Sequence, residues 1–139
     1  MSPTRLRKLA GVRRTDEAVD GLELEAEKLG WRCYVLDGTD VEDRHAFLAA
    51  CVETFELPEW FGMNWDALDE ALGDLELASV PGVVVLWPGW GEFAEAAPRD
   101  FAVALDVLHG AVRTWAGEGE MGGVLLVGEG PDDVELEEF

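Results

Sequence analysis

Two carboxylates one helical turn apart are the residues of this chain whose types and spacing suit chemistry best. Asp66 and Glu70 stand four positions apart in LPEWFGMNWDALDEAL, which covers residues 57–72. On an α-helix such a pair points the same way, with about 5.4 Å between the two residues along the axis. Paired carboxylates serve either as general acid and base, as in glycoside hydrolysis, or as ligands for a cationic partner. The elements that hold the pair decide between these chemistries.

The segment predicts a helix that begins after Asn64 and has two different faces. Asn64 is a favourable N-cap residue, and an acid in the first turn is favoured by the helix dipole. One face is apolar with the spacing of a core-facing stripe; it consists of Trp65, Leu68, Leu72 and Leu75. The other face is acidic; it consists of Asp66, Asp69, Glu70 and Asp74. Because like charges at this spacing cost roughly 0.2–0.5 kcal/mol per pair, the acidic face indicates a basic partner.

The loop before this helix presents aromatic residues between a proline and a glycine. Trp60 and Phe61 lie between Pro58 and Gly62. A residue without Cβ, such as Gly62, permits close approach of another backbone. Nothing in the sequence indicates the burial that raises the pKa of a catalytic carboxylate. An aromatic loop beside an acidic helix therefore favours binding to a protein over catalysis.

The charge balance points to the same kind of partner. The 139 residues carry 10 basic and 30 acidic side chains, which gives a net charge of −20. Residues 1–14 contain five of the basic side chains and no acid, so the rest of the chain is still more acidic. Such a surface repels nucleic acid and anionic membranes, and it attracts cationic proteins at a rate that salt slows. We therefore expect neither nucleic acid nor a membrane as partner.

We expect a protein without a cofactor, located in the cytoplasm. Cys33 and Cys51 are too few and too irregularly placed for a disulfide framework or a zinc site, so we interpret them as core residues. His45 and His109 lack a carboxylate or cysteine at ligand spacing. The basic start of the chain has no apolar stretch behind it, so it lacks the pattern of a signal peptide. No apolar run approaches the ~18 residues that span a bilayer.

Three short apolar segments predict the strands of a small parallel sheet. They are residues 31–36, 83–87 and 124–127. Helical stretches separate them, as parallel neighbours require; these stretches are residues 43–55, residues 64–75 and a longer helix that begins at Pro98. We therefore predict an α/β fold with a three-stranded parallel sheet packed with helices.

The two ends of the chain are expected to lie outside this domain. Residues 1–30 are predicted to form an N-terminal extension that is partly helical or flexible. Residues 129–139 are predicted to form an acidic C-terminal tail that frays.

The segment GWGEFA, residues 89–94, follows the second predicted strand and formally matches a dinucleotide-binding pattern. Trp90 and Glu92 would crowd and repel a pyrophosphate at this position. We therefore interpret the segment as a turn that packs Trp87 and Trp90 against the sheet.

The motif in residues 57–72 resembles the barstar family, the intracellular inhibitors of secreted guanyl-specific ribonucleases. The matching positions are Pro58, the aromatic pair, Gly62, Asn64, Trp65, Asp66, Ala67, Leu68 and Leu72. The order of predicted strands and helices over residues 31–128 is similar to that family as well. The resemblance implies a barstar-like domain over these residues and a protein that is not an enzyme.

The resemblance also implies how the protein acts. The aromatic loop and the acidic helix would plug the active site of a basic microbial ribonuclease, with carboxylates in the positions of RNA phosphates. Asp66 and Glu70 correspond to the family's two helical aspartates, and Trp60 to the aromatic that packs against the enzyme. The implied partner is an extracellular-type guanyl-specific ribonuclease, a cationic protein. The residues expected to bind it are Trp60, Phe61, Gly62, Asn64, Asp66, Asp69, Glu70 and Asp74.

Three positions depart from the family's pattern and leave alternatives open. Glu70 is one methylene longer than the usual aspartate, Asp69 stands where many members have tryptophan or a neutral residue, and Trp60 replaces the more usual tyrosine. The family's glutamate near the end of its last helix has two candidates here, Glu118 and Glu120. The alternatives are a barstar-fold module for a different cationic protein or toxin, and a carboxylate-dependent hydrolase.

Overall fold

In the computed structural model, which describes residues 5–58 and 60–139, four parallel strands form one sheet. They are β1 (Ala10–Thr15), β2 (Arg32–Val35), β3 (Gly82–Pro88) and β4 (Met121–Val127). Their order across the sheet is β1-β4-β3-β2, and each pair of neighbours is parallel. The predicted α/β fold with a parallel sheet is confirmed. The predicted number of three strands is corrected to four for the part of the chain described.

β1 is the strand that the sequence pattern did not predict. It pairs with β4 from Ala10 opposite Gly122 to Thr15 opposite Val127. The sequence AGVRRT has no run of large apolar residues, because an edge strand of this sheet buries little more than Val12 and Thr15. The pattern of a buried strand is therefore missing, although the backbone is fully paired with β4.

Five α-helices in the described residues pack on the sheet. They are α1 (Val19–Leu29), α2 (Arg44–Thr54), α3 (Trp65–Gly73), α4 (Trp90–Ala96) and α5 (Pro98–Gly117); a 3-10 turn at Arg5–Lys8 precedes β1. Helices α2 to α5 contribute to one apolar core, in which Phe47, Trp87 and Leu108 are buried. Helix α1 and the 3-10 turn contribute to a second core on the other face, which includes Leu22 and Leu86. The sheet is thus covered on both faces.

The start of three predicted helices follows local sequence chemistry. The Asp43 side chain accepts a hydrogen bond from the Ala46 N–H and caps α2. Asn64 caps α3 in the same way. Pro98 occupies the first turn of α5, where its missing N–H has no helical partner to lose.

The segment of residues 89–94 is a short helix, α4, where a turn was predicted. Trp87, in β3, and Trp90, in α4, are fully buried, as predicted. Gly89 has a φ of 72°, which lets the chain turn from β3 directly into α4. A Cβ on Gly91 would lie 2.7 Å from the Glu129 carbonyl oxygen, so backbone fills the space that a pyrophosphate would need.

The C-terminal tail lies along the free edge of β1, where fraying was predicted. The Arg14 N–H donates to the Glu137 carbonyl oxygen at 3.0 Å, and the Phe139 N–H donates to the Arg14 carbonyl oxygen at 2.9 Å. The Arg14 guanidinium donates to the carbonyl oxygens of Pro131 and Val134. Fraying was predicted from acidity alone, which could not reveal this backbone pairing.

The predicted extension, residues 1–30, contains the 3-10 turn, β1 and α1; its residues 1–4 lie outside the described part of the chain. Among the helices described, none combines the length and the apolar character that crossing a membrane requires.

Candidate partner-binding surface

Helix α3 is fixed to the core by its apolar side. Leu68 and Leu72 are fully buried, and the Trp65 ring packs against Phe47 with 5.8 Å between the ring centroids. The Trp115 indole N–H of α5 donates to the Leu72 carbonyl oxygen at 2.9 Å, which satisfies a backbone group in the last turn. Because the apolar side of α3 is packed against the core, the fold sets the direction of its exposed side chains.

Asn64 ties the aromatic loop to the start of α3. Its side-chain oxygen accepts a hydrogen bond from the Ala67 N–H at 2.8 Å, and its Nδ2 donates to the Gly62 carbonyl oxygen at 3.0 Å. A Cβ on Gly62 would lie 3.1 Å from that Nδ2 atom, so glycine leaves room for the cap. Met63 between them has a φ of 44°, a left-handed conformation that few non-glycine residues adopt. The loop and the helix therefore form one tightly constrained unit.

The four carboxylates predicted along α3 are all exposed. They are Asp66, Asp69, Glu70 and Asp74, the C-cap residue. The ion pairs found in the described residues are Arg5–Glu17 and Arg13–Glu137, which leaves these four without an internal ion pair there. Carboxylates without an ion-pair partner produce a negative potential that attracts cationic partners.

The four carboxylates point in three directions, although one stripe was predicted. Asp66 and Glu70 lie opposite the buried side of the helix. Asp69 lies toward α5, where its Oδ1 is 3.6 Å from the position of a Cβ on Gly110, and the Arg113 guanidinium is 3.9 Å from the same position. Asp74 lies on the opposite flank, toward the aromatic loop. The acidic surface thus has Asp66 and Glu70 at its centre. Asp69 lies on the α5 side and Asp74 on the side of the aromatic loop.

The aromatic pair divides into an anchor and a projecting residue. Phe61 is half-buried against the main core, and its N–H donates to the Pro58 carbonyl oxygen at 2.9 Å. Trp60 is 84% exposed. A large exposed indole next to fixed charges is typical of the residues that dominate protein interfaces.

The comparison with known families agrees with this geometry. The sequence profile described as Barstar (barnase inhibitor) matches residues 31–127, from the residue before β2 to the end of β4. The chain belongs to the barstar family. No relative was found among curated proteins. The family is one of inhibitors, as its description says, which fits a protein that is not an enzyme.

A groove separates the aromatic loop of this barstar-family domain from the end of α3. Its volume is about 360 Å³, and its walls include Phe55, Trp60, Glu70 and Asp74. Leu75 also lines it and is half-buried, because α3 ends at Gly73 and the predicted core stripe is interrupted there. Sequence analysis missed the groove, because it placed Leu75 on the same core-facing stripe as Leu68 and Leu72.

Glu118 and Glu120, the two candidates for the barstar family's late glutamate, lie beside the far end of α3. They share a surface depression with Leu75 and Glu76. The Glu120 N–H donates to the Trp115 carbonyl oxygen at 2.9 Å, which closes the turn after α5. Arg32 lines the same depression, so this part of the surface carries charges of both signs.

The cysteines of the domain are packing residues. Burial raises the pKa of the Cys33 thiol to about 11, and burial also raises the pKa of Cys51. Cys51 is fully buried in the main core, and Cys33 packs against the second core. Among the described residues, no three His, Cys, Asp or Glu side chains are grouped to hold a metal ion.

Proposed function

We propose that the protein is a ribonuclease inhibitor of the barstar type, which plugs the active site of a basic microbial ribonuclease with α3 and the Trp60 loop. The observation that carries this proposal is the exposed pair Asp66 and Glu70 on a helix fixed from behind, beside a Trp60 that is 84% exposed. The carboxylates take the positions of RNA phosphates and accept charge-assisted hydrogen bonds from the enzyme's basic side chains.

The rigidity of this surface supports the proposal energetically. Binding loses free energy when loops and side chains must be ordered, and each immobilised side chain costs about 0.5–1.5 kcal/mol. The Asn64 cap and the Phe61 anchor order the loop before any partner arrives. The proposed contact residues are those predicted from the sequence: Trp60, Phe61, Gly62, Asn64, Asp66, Asp69, Glu70 and Asp74.

The proposed partner is an extracellular-type guanyl-specific ribonuclease, and the proposed location of the inhibitor is the cytoplasm. A cationic enzyme matches a protein with a net charge of −20. An inhibitor kept inside the cell protects its host from a ribonuclease made by itself or by its neighbours.

The carboxylate-dependent hydrolase has weaker support. Asp66 and Glu70 stand on the outward face of a helix, whereas small-molecule sites bury most of their ligand in a concavity. An exposed face suits contact with a large protein surface.

A barstar-fold module for a different cationic protein or toxin is favoured by one observation. Asp69, where many members of the family have tryptophan or a neutral residue, lies close to Gly110 at the α5 side of the surface, as Arg113 does. A partner that packs an apolar group at this side loses an apolar contact. A partner with a polar group there gains a polar contact with Asp69.

The experiment is titration of a panel of purified microbial guanyl-specific ribonucleases with the full-length protein, measured by RNA cleavage. We expect loss of activity that is complete at one inhibitor per enzyme for at least one member. A cationic toxin bound without any ribonuclease being inhibited would favour the second candidate. Turnover of RNA or glycans by the protein alone would contradict both.

A further inference from the structure

We propose that the outer edge of β1 is a strand-addition site for an extended segment of another protein, and that the C-terminal tail of this chain occupies the site as an autoinhibitory strand. The segment that fits carries a carboxylate and, two positions later, an aromatic ring, as Glu137 and Phe139 do in the tail. β1 lies outside the residues matched by the family, and it contains none of the contacts proposed for the ribonuclease.

The tail meets β1 in the way that an added strand meets a sheet edge. Glu138 forms a parallel bridge with Arg14. The Arg14 N–H donates to the Glu137 carbonyl oxygen at 3.0 Å, and the Arg14 carbonyl oxygen accepts from the Phe139 N–H at 2.9 Å. In strand addition, such main-chain hydrogen bonds supply affinity, and pockets for alternate side chains supply specificity. The tail therefore shows the position that an incoming segment would take.

Two arginines contact alternate side chains of the tail. The Arg13 guanidinium donates to the Glu137 carboxylate at 2.7 Å. The Arg5 guanidinium lies 4.9 Å from the centroid of the Phe139 ring, which also packs against the second core. A cation over an aromatic face contributes about 0.5–1 kcal/mol at an exposed site. Because successive side chains of a strand point to opposite faces, positions 137 and 139 carry the recognition on one face.

Without the tail, β1 would be an edge strand open to pairing. Such a strand presents N–H and carbonyl groups that act as a template for another chain. The Ala10 carbonyl oxygen already accepts a hydrogen bond from the Arg13 side chain at 3.1 Å, whereas both backbone groups of Arg14 are satisfied by the tail. The part of the edge that an incoming segment can use is thus centred on Arg14.

Like charges oppose the closed position of the tail. Four acids of the tail share a cavity of about 970 Å³ with Asp16, Glu92 and Glu95. Arg14 is the basic side chain among the lining residues that the structure describes. A separate segment that carries only the equivalents of residues 134–139 can make the β1 contacts without bringing every acid of the tail into this cavity. The closed tail is therefore open to competition.

The covalent link of the tail to the domain gives it an advantage over any separate segment. A segment on a short flexible linker acts at an effective concentration of about a millimolar. Because only molecules with an open site can bind a separate segment, the apparent affinity for that segment falls by the open fraction. Weakening the tail should therefore tighten the binding of a separate segment, which would not happen at an ordinary surface site.

The first experiment compares two full-length proteins that share the same β1 edge. A fluorescein-labelled peptide of residues 134–139 is titrated with the wild-type protein and with Phe139→Ala, and fluorescence anisotropy is measured. Phe139→Ala removes the aromatic ring of the tail and leaves β1 and its arginines in place. We expect the peptide to bind this variant at least about tenfold more tightly than wild type. Equal affinity for the two proteins, or absence of binding to both, would overturn the proposal.

A second peptide separates recognition from net charge. In this peptide the residues Leu136 and Phe139 exchange places, so composition and charge are unchanged. We expect it to bind the Phe139→Ala protein at least about fivefold more weakly than the original peptide does. Equal affinity of the two peptides would mean that the site does not select the position of the aromatic ring, and the proposed specificity would be wrong.

A second pair of tail variants keeps the test valid if Phe139→Ala disturbs the fold. Glu137→Ala changes a side chain that is 79% exposed, so it removes the ion pair with Arg13 without opening the core. Asp133→Ala removes the same charge from an exposed position of the tail. We expect the first variant to bind the peptide at least about twofold more tightly than wild type and the second to stay within about 1.5-fold. Equal effects would contradict release of the tail as the cause.

Amide hydrogen exchange shows where the peptide binds. The Arg14 amide should exchange faster in Phe139→Ala than in wild type, and the peptide should protect it again, because its acceptor is the carbonyl oxygen of the added strand. The Leu125 amide, in the neighbouring strand β4, serves as the reference. A peptide that binds without protecting Arg14 would bind elsewhere and would refute the site.

Variants of the acceptor complete the test in the Phe139→Ala protein. Arg13→Ala removes the proposed partner of the incoming carboxylate, and Arg7→Ala removes the same charge from an exposed position of the 3-10 turn. We expect Arg13→Ala to weaken peptide binding at least about threefold and Arg7→Ala to leave it within about 1.5-fold. Equal effects would contradict the role of Arg13. A dimer of the wild-type protein in analytical ultracentrifugation, with tails exchanged between copies, would overturn the assignment of the tail as an autoinhibitory strand.

Discussion

Asp66 and Glu70 combine exposure to water with a direction fixed by the fold. In the free protein both carboxylates keep their hydration, so holding them at the surface costs little beyond their mutual repulsion. In a complex they give up water for charge-assisted hydrogen bonds, which are stronger than hydrogen bonds between neutral groups. These two residues should therefore matter greatly for binding and little for folding.

Replacing both residues by alanine tests this separation. We expect the Asp66→Ala, Glu70→Ala double variant to lose about 3–6 kcal/mol of binding free energy, since hydrogen bonds to charged groups contribute about 1.5–3 kcal/mol each. Its stability should be unchanged or a few tenths of a kcal/mol higher, because a repulsive i, i+4 pair is removed. Isothermal titration calorimetry and a thermal melt measure the two quantities.

The control is Asp132→Ala with Asp133→Ala, which removes the same charge from two exposed residues of the C-terminal tail. This control variant should keep most of the affinity for the partner. If the two double variants lost equal affinity, the carboxylates of α3 would act only through net charge and would not form direct contacts.

Helix α3 is a short element that depends on its caps. Nine residues are too few for a helix to be stable alone in water, so its geometry comes from packing and from the groups that satisfy its ends. Asn64 supplies the N-terminal cap and also holds the Gly62 carbonyl oxygen, so one side chain positions both parts of the proposed binding surface.

Removing the Asn64 cap should destabilise α3 and the aromatic loop. We expect Asn64→Ala to lower the free energy of unfolding by about 1 kcal/mol, because an N–H in the first turn loses its acceptor. Asn64→Asp keeps an acceptor at the same place and should stay close to wild type in stability. Urea denaturation of the two variants measures the difference, and equal stability of both would contradict the role of the cap.

The start and the two faces of α3 could be predicted from the sequence, whereas β1 and the groove could not. The start of α3, its buried side and its exposed acids were predictable because caps and helical periodicity are local. β1 was not predictable in this way, since AGVRRT becomes a strand through pairing with β4, more than a hundred residues away. The groove was missed for a similar reason: it forms where the ends of α2 and α3 come together, which no local pattern encodes.

At the scale of the whole molecule, the N-terminal residues complete the second face of the sheet. Leu6 and Leu22 are buried in the same apolar cluster as Leu86 and Leu125 of the central strands. A domain reduced to the residues matched by the family would leave that face of the sheet uncovered. We therefore expect residues 5–29 to contribute to stability in spite of lying outside the family match.

Two leucines of α1 provide a matched test. Leu22 is 1% exposed and Leu24 is 51% exposed. We expect Leu22→Ala to lower the free energy of unfolding by about 2–5 kcal/mol, as for other buried leucines, and Leu24→Ala to change it by less than about 0.5 kcal/mol. Chemical denaturation measures both; a negligible effect of Leu22→Ala would mean that the segment is a loose appendage.

We expect the net charge of −20 to speed association with a cationic partner. Salt shortens the range of electrostatic attraction from about 10 Å at 0.1 M to about 3 Å at 1 M. We expect the association rate constant, measured by stopped flow, to fall by at least about tenfold over this range, with a smaller change in the dissociation rate. An association rate that is independent of salt would contradict electrostatic steering.

The contrast between Trp60 and the other tryptophans gives the protein a natural optical reporter. The chain has six tryptophans, and five of them are buried or pack against an apolar core: Trp31, Trp65, Trp87, Trp90 and Trp115. The long-wavelength side of the emission comes mainly from the solvated ring, because water lowers the energy of the excited indole. Its emission should therefore shift to shorter wavelength when a docked protein expels water from around it, and Trp60→Phe should abolish that signal. Complex formation can thus be followed in dilute solution without attaching a dye.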